Sequence, residues 1–206
     1  DVSGSSFFGT VNQMKNEILT EICAVLAFSS INNNDKVGVL FFSDKVEKFI
    51  PPKKGRQHIL RIIRELIDFE PEGQGTDLTE ALQYFNNVLK KRCITFVLSD
   101  FMTKDYEQAL RIIARRHDLV GIHLSDPREN ELPNVGLIQA RDPETGKTMW
   151  LDTGSTRVRE EFRQNFEENF NYFKSTFLRS GADFVKIRTD ESYVNALLKF
   201  FKKRSS

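Results

Sequence analysis

Along the first 126 residues, short apolar runs alternate with segments of helical period, and this alternation most constrains the fold. KVGVLFFS, CITFVLSD and LVGIHLSD are brief and continuously apolar, as strands covered on both faces are. Between them, apolar residues recur every three or four positions. Met14, Ile18, Ile22, Val25 and Phe28 mark one helix, stopped by the run Asn32 to Asn34. Ile59, Ile62, Ile63, Leu66 and Ile67 mark a second, and LTEALQYFNNVLKK and DYEQALRIIARRHD read as two more. VEKFIPP reads as a strand halted by Pro51 and Pro52. Strand and helix in alternation predict an α/β fold: a Rossmann-like, mostly parallel sheet with helices on both faces and right-handed crossovers.

The pattern changes after residue 126. GLIQARDPETGKTMWLDT holds two strand-like runs around Pro143-Glu144-Thr145-Gly146, which predicts a β-hairpin extension over about residues 136–153. A long helix follows with Phe162, Phe166, Phe170, Phe173 and Phe177 on one stripe, which reads as core rather than a cofactor box. ADFVKIRT is a last strand and YVNALLKFFKKR a closing helix. Without an internal repeat or low-complexity linker, a single domain over residues 1–206 is the simplest count.

Charge and residue chemistry narrow the function. The 30 basic and 29 acidic side chains nearly cancel, so nothing pulls the whole chain toward nucleic acid or an anionic membrane. KKGR and KFFKKR then read as solvated surface. Cys23 and Cys93 lie in apolar contexts and read as buried free thiols of a reducing, cytoplasmic compartment, with a single disulfide as the second reading. No apolar run approaches the roughly 20 residues a membrane span needs, and no stretch reads as a signal peptide. His58, His117 and His123 are scattered without zinc-ligand spacing, no GxxxxGK[ST] occurs, and no nucleophile–base pair suggests acyl transfer.

Three oxygen-rich loops fall where ligands of open α/β sheets bind, beyond the carboxyl ends of strands. They are Asp1-Val2-Ser3-Gly4-Ser5, Gly75-Thr76-Asp77 and Ser99-Asp100. The ligand set drawn from them is Asp1, Ser3, Ser5, Thr76 and Asp100. Two carboxylates and three hydroxyls, without sulfur or imidazole, suit Mg²⁺ or Mn²⁺. Neutral hydroxyls leave such a cation electrophilic at a free position, which welcomes a carboxylate from outside. Each loop taken alone has a plainer reading. Ser5 or Ser6 would cap the first helix, Thr76 or Asp77 the helix from Leu78, and Asp100 would turn the chain before Phe101. The three together favour the cation.

Asp1-x-Ser3-x-Ser5, then Thr76, then Asp100 resembles the metal-ion-dependent adhesion site of von Willebrand factor type A domains. GTDL, LSDF, DPRENELPNVGL, DPETG and LDTG are similar, over nearly the whole chain, to the bacterial branch called domain of unknown function 58. The resemblance implies that Ser3 and Ser5 ligate through their hydroxyls and Thr76 directly or through water. It implies that Asp1 and Asp100 act largely through bound waters. It further implies a non-enzymatic module whose metal takes an acidic residue of a protein partner, with a MoxR-type AAA+ ATPase as the associated protein. It also implies a central strand ahead of Asp1. The expectation is that another segment or chain fills that strand's place, or that the sheet rearranges; otherwise Asp1 is poorly held and the site stands empty.

Two rival readings fit the residues less well. A phosphoacceptor receiver domain needs its acceptor Asp before its Thr, whereas Thr76 precedes Asp100. A Mg²⁺-dependent phosphohydrolase with Asp1 as nucleophile is the alternative, although Ser3 stands where its second acid belongs.

Overall fold

A computed structural model of the chain describes residues 1–7, 14–141 and 146–205. A 3₁₀ turn over Gly4–Phe7 precedes α1 (Lys15–Asn32), β1 (Val37–Phe42), β2 (Val46–Lys53), α2 (Arg56–Asp68) and α3 (Leu78–Val88). Then come β3 (Ile94–Ser99), α4 (Glu107–Arg116), β4 (Asp118–Ser125) and the short α5 (Pro127–Asn130). The hairpin β5 (Leu137–Arg141) and β6 (Thr148–Asp152), the long α6 (Thr156–Arg179), β7 (Asp183–Arg188) and α7 (Tyr193–Ser205) complete the order.

β3, β4 and β7 form a parallel sheet in the order β3-β4-β7, with Val97 opposite Gly121 and Ile122 opposite Val185. The alternation of side chains along each strand sorts the core into two layers. Leu98, Ile122, Leu124, Val185 and Ile187 pack on one face with Ile18, Leu19 and Ile22 of α1 and Leu197 of α7. Val97 and Leu119 pack on the other with α3, α4 and the phenylalanines of α6. The expected α/β sheet with helices on both faces is therefore present. Gly121 permits the close approach of α6, since a Cβ there would stand 2.5 Å from the Phe177 ring.

β1 and β2 pair antiparallel and, among the described residues, form a sheet separate from the parallel one. Pro51 and Pro52 lie inside β2 instead of ending it. Among the described residues β2 pairs only with β1, and an outer strand tolerates the missing N–H groups. Among the described residues no strand lies between β1 and β3. A cleft of about 1760 Å³ separates them, lined by Val37 to Phe42, Ile94 to Leu98 and side chains of α1 and α3. β1 is accordingly buried only at Phe41 and Phe42, not along its length. At the carboxyl end of these strands the chain's first two residues cross the cleft. The Asp1 backbone nitrogen donates to Leu98 O at 3.1 Å, and Val2 N donates to Phe42 O at 2.8 Å.

The buried stripe of α1 differs from the expected one. Lys15, Ile18, Leu19, Ile22, Ala27 and Ser30 face inward, while Met14, Val25 and Phe28 are exposed. Apolar residues surround this helix, so their period alone does not choose a face. The α6 stripe is core as expected, with Phe166, Phe173 and Phe177 buried. Cys23 and Cys93 are free thiols but only half-buried, because both line the cleft. Pro143, Glu144 and Thr145 of the expected hairpin turn lie outside the described residues. Among the described residues no helix is long and apolar enough to cross a membrane.

Candidate metal centre

The first loop folds back on itself at the carboxyl end of β3. Ser3 N donates to Asp1 Oδ1 at 2.9 Å, and the Ser99 hydroxyl donates to Asp1 Oδ2. Asp1 is thus held by both carboxylate oxygens and by its backbone, contrary to the expectation that it would be loose without a preceding strand. The Ser3 and Ser5 hydroxyl oxygens stand 3.1 Å apart, and both residues are buried. Cis ligands about 2.0–2.1 Å from an octahedral Mg²⁺ would be about 2.9 Å apart, so this pair fits one edge of such a shell. The Ser5 hydroxyl also donates to Asp100, which is only 6% exposed. Thr76, half-buried, sits on a loop fixed at both ends: Gly4 N donates to Gln74 O at 2.8 Å, and Asp77 N to Ser43 O at 2.7 Å.

The plainer capping readings divide. α1 begins at Lys15 with Met14 as its N-cap, so Ser5 does not cap it. Asp77 does cap α3, accepting from Glu80 N at 2.9 Å. Asp100 makes a turn contact, accepting from Met102 N at 3.3 Å, but its other oxygen is engaged elsewhere. Next to it, Phe101 takes a left-handed backbone (φ 52°), which costs a residue with a Cβ about 1–2 kcal/mol. Burial of its ring against Phe173, at 4.4 Å between centroids, offsets that cost.

Two residues of the cluster, Lys15 and Glu129, were not foreseen from sequence, and Ser99 stood in the third oxygen-rich loop but outside the ligand set. Lys15 is 1% exposed, and its ammonium donates to Asp100 Oδ2 at 2.7 Å and to Glu129 Oε1 at 2.5 Å. Burial works against the charged Lys15, but Asp100 and Glu129 outweigh it and raise its pKa above the ordinary value. For Asp100, burial likewise favours the neutral acid, and Lys15 with the Ser5 and Met102 donors overcomes it, so its pKa is lowered. Burial dominates at Glu129 and pushes its pKa up. A signal for Lys15 was available: it shares the i, i+3, i+4, i+7 positions of Ile18, Leu19 and Ile22, where an unpaired lysine does not belong. Asp126-x-x-Glu129 reads as a capping box, and that is what the two residues form at α5. Nothing in the spacing announces its contact with Lys15.

Asp1, Ser3, Ser5 and Asp100 are therefore brought together, with the Thr76 loop hydrogen-bonded to Gly4 beside them. Among the described residues no three His, Cys, Asp or Glu side chains are grouped to hold a metal. A cation here depends on the serine hydroxyls, a donor set of hard oxygens that suits Mg²⁺ or Mn²⁺.

The fold has a solved counterpart in the crystal structure of the conserved hypothetical protein BatB from Bacteroides thetaiotaomicron. The TM-score is 0.61 at 15% identity, over 99% of this chain and 95% of that one, a likeness of fold alone. The uncharacterized proteins Mb1516 of Mycobacterium bovis and Rv1480 of Mycobacterium tuberculosis are each 26% identical over 207 residues, 99% of this chain. The chain spans 65% of the length of these relatives. MAV169 of Mycobacterium avium is 27% identical over 158 residues, 75% of this chain and 93% of that protein. The family model described as "Protein of unknown function DUF58" matches residues 1–171, and the chain belongs to that family.

Proposed function

We propose that the chain is a non-enzymatic binding module that holds a divalent cation at Asp1, Ser3, Ser5, Thr76 and Asp100 and engages an acidic side chain of a protein partner through it. One observation carries the reading: two buried serine hydroxyls 3.1 Å apart on a single turn, bracketed by two buried or half-buried carboxylates. When bound, Mg²⁺ or Mn²⁺ would supply an electrophilic position for an incoming carboxylate oxygen. Ser3 and Ser5 would contribute neutral oxygens, and Asp1 and Asp100 negative charge. Asp1 Oδ1 and Oδ2 both accept hydrogen bonds, which favours a ligand-positioning role over that of a nucleophile in a phosphohydrolase. The type A resemblance makes a MoxR-type AAA+ ATPase the first partner to test.

The test is a thermal melt of the full-length protein with and without Mg²⁺ or Mn²⁺, with Asp100→Ala as control. A cation that binds only the folded state stabilises it by about 2.7 kcal/mol at a hundredfold excess over Kd. The expected result is a rise in Tm that Asp100→Ala abolishes. No rise at about 10 mM cation, roughly tenfold above the Kd of the weakest functional calcium sites, would remove the basis of the reading. A MoxR-type ATPase titrated with and without chelator then tests the partner, and binding indifferent to chelator would refute the metal bridge.

A further inference from the structure

Lys15 has no part in the ligand set, yet it is the most deeply buried charge beside it. It stands at the first position of α1, with its side chain 1% exposed, and its ammonium is shared by a carboxylate of the loop after β3 and one of α5. The two carboxylates differ in what else holds them. Glu129 places Oε1 on Lys15 and accepts from Asp126 N through Oε2 at 2.8 Å, so its own helix end fixes it. That end is anchored in turn, because Asp126 accepts from the Thr189 hydroxyl at 2.9 Å. Asp100 places Oδ2 on Lys15 and has only a long contact from Met102 N on Oδ1, with the Ser5 hydroxyl as a further donor. Glu129 is thus a fixed cradle for the ammonium, whereas Asp100 belongs both to Lys15 and to the candidate cation site.

Charge points the same way. Asp1, Asp100, Glu129 and the buried Asp126 carry four carboxylates near the one ammonium of Lys15, an acidic excess that suits a divalent cation. A buried carboxylate without a counter-charge is strongly unfavourable, so Asp100 needs a cation whether or not a metal is present. An ammonium 2.7 Å from Asp100 meets that need, and it repels a second cation drawn to the same residue.

We propose that Lys15 is the built-in counter-ion of the cation site: it competes with the divalent cation for Asp100, keeps Glu129 as its second partner, and so sets how tightly the site takes metal. This rests on the cation reading above. It assigns Lys15 a regulatory place beside the site and Glu129 a positioning role that acts through Lys15.

The experiment is calorimetric titration of Mn²⁺ and of Mg²⁺ into the full-length protein and its variants, each checked for fold by circular dichroism. Lys15→Met keeps the length of the side chain and removes its charge, and is expected to tighten binding at least tenfold. Glu129→Gln removes one of the two carboxylate charges on the ammonium, so that Asp100 holds it more strongly, and is expected to weaken binding severalfold. Should Lys15→Met fail to fold, Lys15→Met/Glu129→Gln removes both ends of that pair and is expected to bind more tightly than Glu129→Gln. Binding by the unaltered protein that is equal or weaker once Lys15 is replaced would overturn the competition and leave the cation site standing. No uptake by the unaltered protein or by any folded variant would overturn the cation reading itself, and this inference with it.

Discussion

The two sides of the cleft are built differently. β3, β4 and β7 are covered on both faces, by α1 and α7 on one and by α3, α4 and α6 on the other. β1, β2 and α2 share a small cluster in which only Phe41, Ile50 and Ile62 are buried. What joins them is a seam at one end. Asp1 and Val2 bond to both strands, Phe42 packs in the larger core, and Asp77 N donates to Ser43 O. The candidate cation site lies on that seam. Burial therefore makes the parallel side self-supporting, whereas the hairpin side is joined to it through Val2 and Asp77, chain neighbours of residues proposed to bind metal.

Truncations on each side test that asymmetry. Phe173 is fully buried among Phe101, Phe177 and Phe184, and Phe173→Ala should cost about 3–5 kcal/mol in equilibrium unfolding. Native-state hydrogen exchange should then show lower protection on both sides of the cleft. Ile62→Ala should instead lower protection of β1 and β2 through a local opening, with β3, β4 and β7 little changed. Equal losses on both sides in Ile62→Ala would mean one cooperative unit, and the contrast would fail.

A second break of the comparison is pH. His123 of β4 sits among Phe101, Phe170 and Phe173, and its Nδ1 is buried without a partner among the described residues. Burial lowers its pKa to about 4; Lys186 and Lys15 add to that, and Asp100 opposes it. A depressed histidine pKa means that the unfolded chain takes up the proton first. Its contribution is therefore intact above about pH 6.5 and is lost as pH falls from there toward 4, by about 3 kcal/mol in all. Unfolding curves for His123→Leu should lose that much less over the same window. Parallel curves for the two proteins would show that His123 is not the group responsible.

What the sequence disclosed follows the same division. The strands of the parallel side were legible because both faces are covered, which leaves continuous runs such as ITFVL and LVGIHL. β1 shows the same kind of run, VGVLFF, but the burial it predicts is realised only at Phe41 and Phe42, because its free edge lines the cleft. Composition cannot reveal whether a neighbour is in place. Asp1, Ser3 and Ser5 were readable because a tight spacing survives in one dimension. The pairing of Lys15 with Glu129 was not, since 114 residues separate partners whose ammonium and carboxylate are 2.5 Å apart. The register of α1 failed for a related reason: its apolar residues occupy several faces, and contact with β3, β4 and β7 selects the one bearing Lys15.

The smallest expected effect probes the seam itself. Asp77 caps α3 through Glu80 N, and its own N–H is spent on Ser43 of the hairpin side. Removing only the side chain deletes the cap and leaves the backbone bridge. Asp77→Ala should therefore cost about 1 kcal/mol, and Asp77→Asn, which keeps an acceptor, only a fraction of that. Leu78, Ala81 and Leu82 pack in the larger core, so α3 should fray at its first turn and stay docked. Exchange of the Leu78 to Glu80 amides should rise while β1 keeps its protection. Should β1 lose protection as well, the seam would depend on the capped end of α3 and not only on the backbone bonds that cross it, and the Thr76 loop would be the joint through which the two sides are coupled.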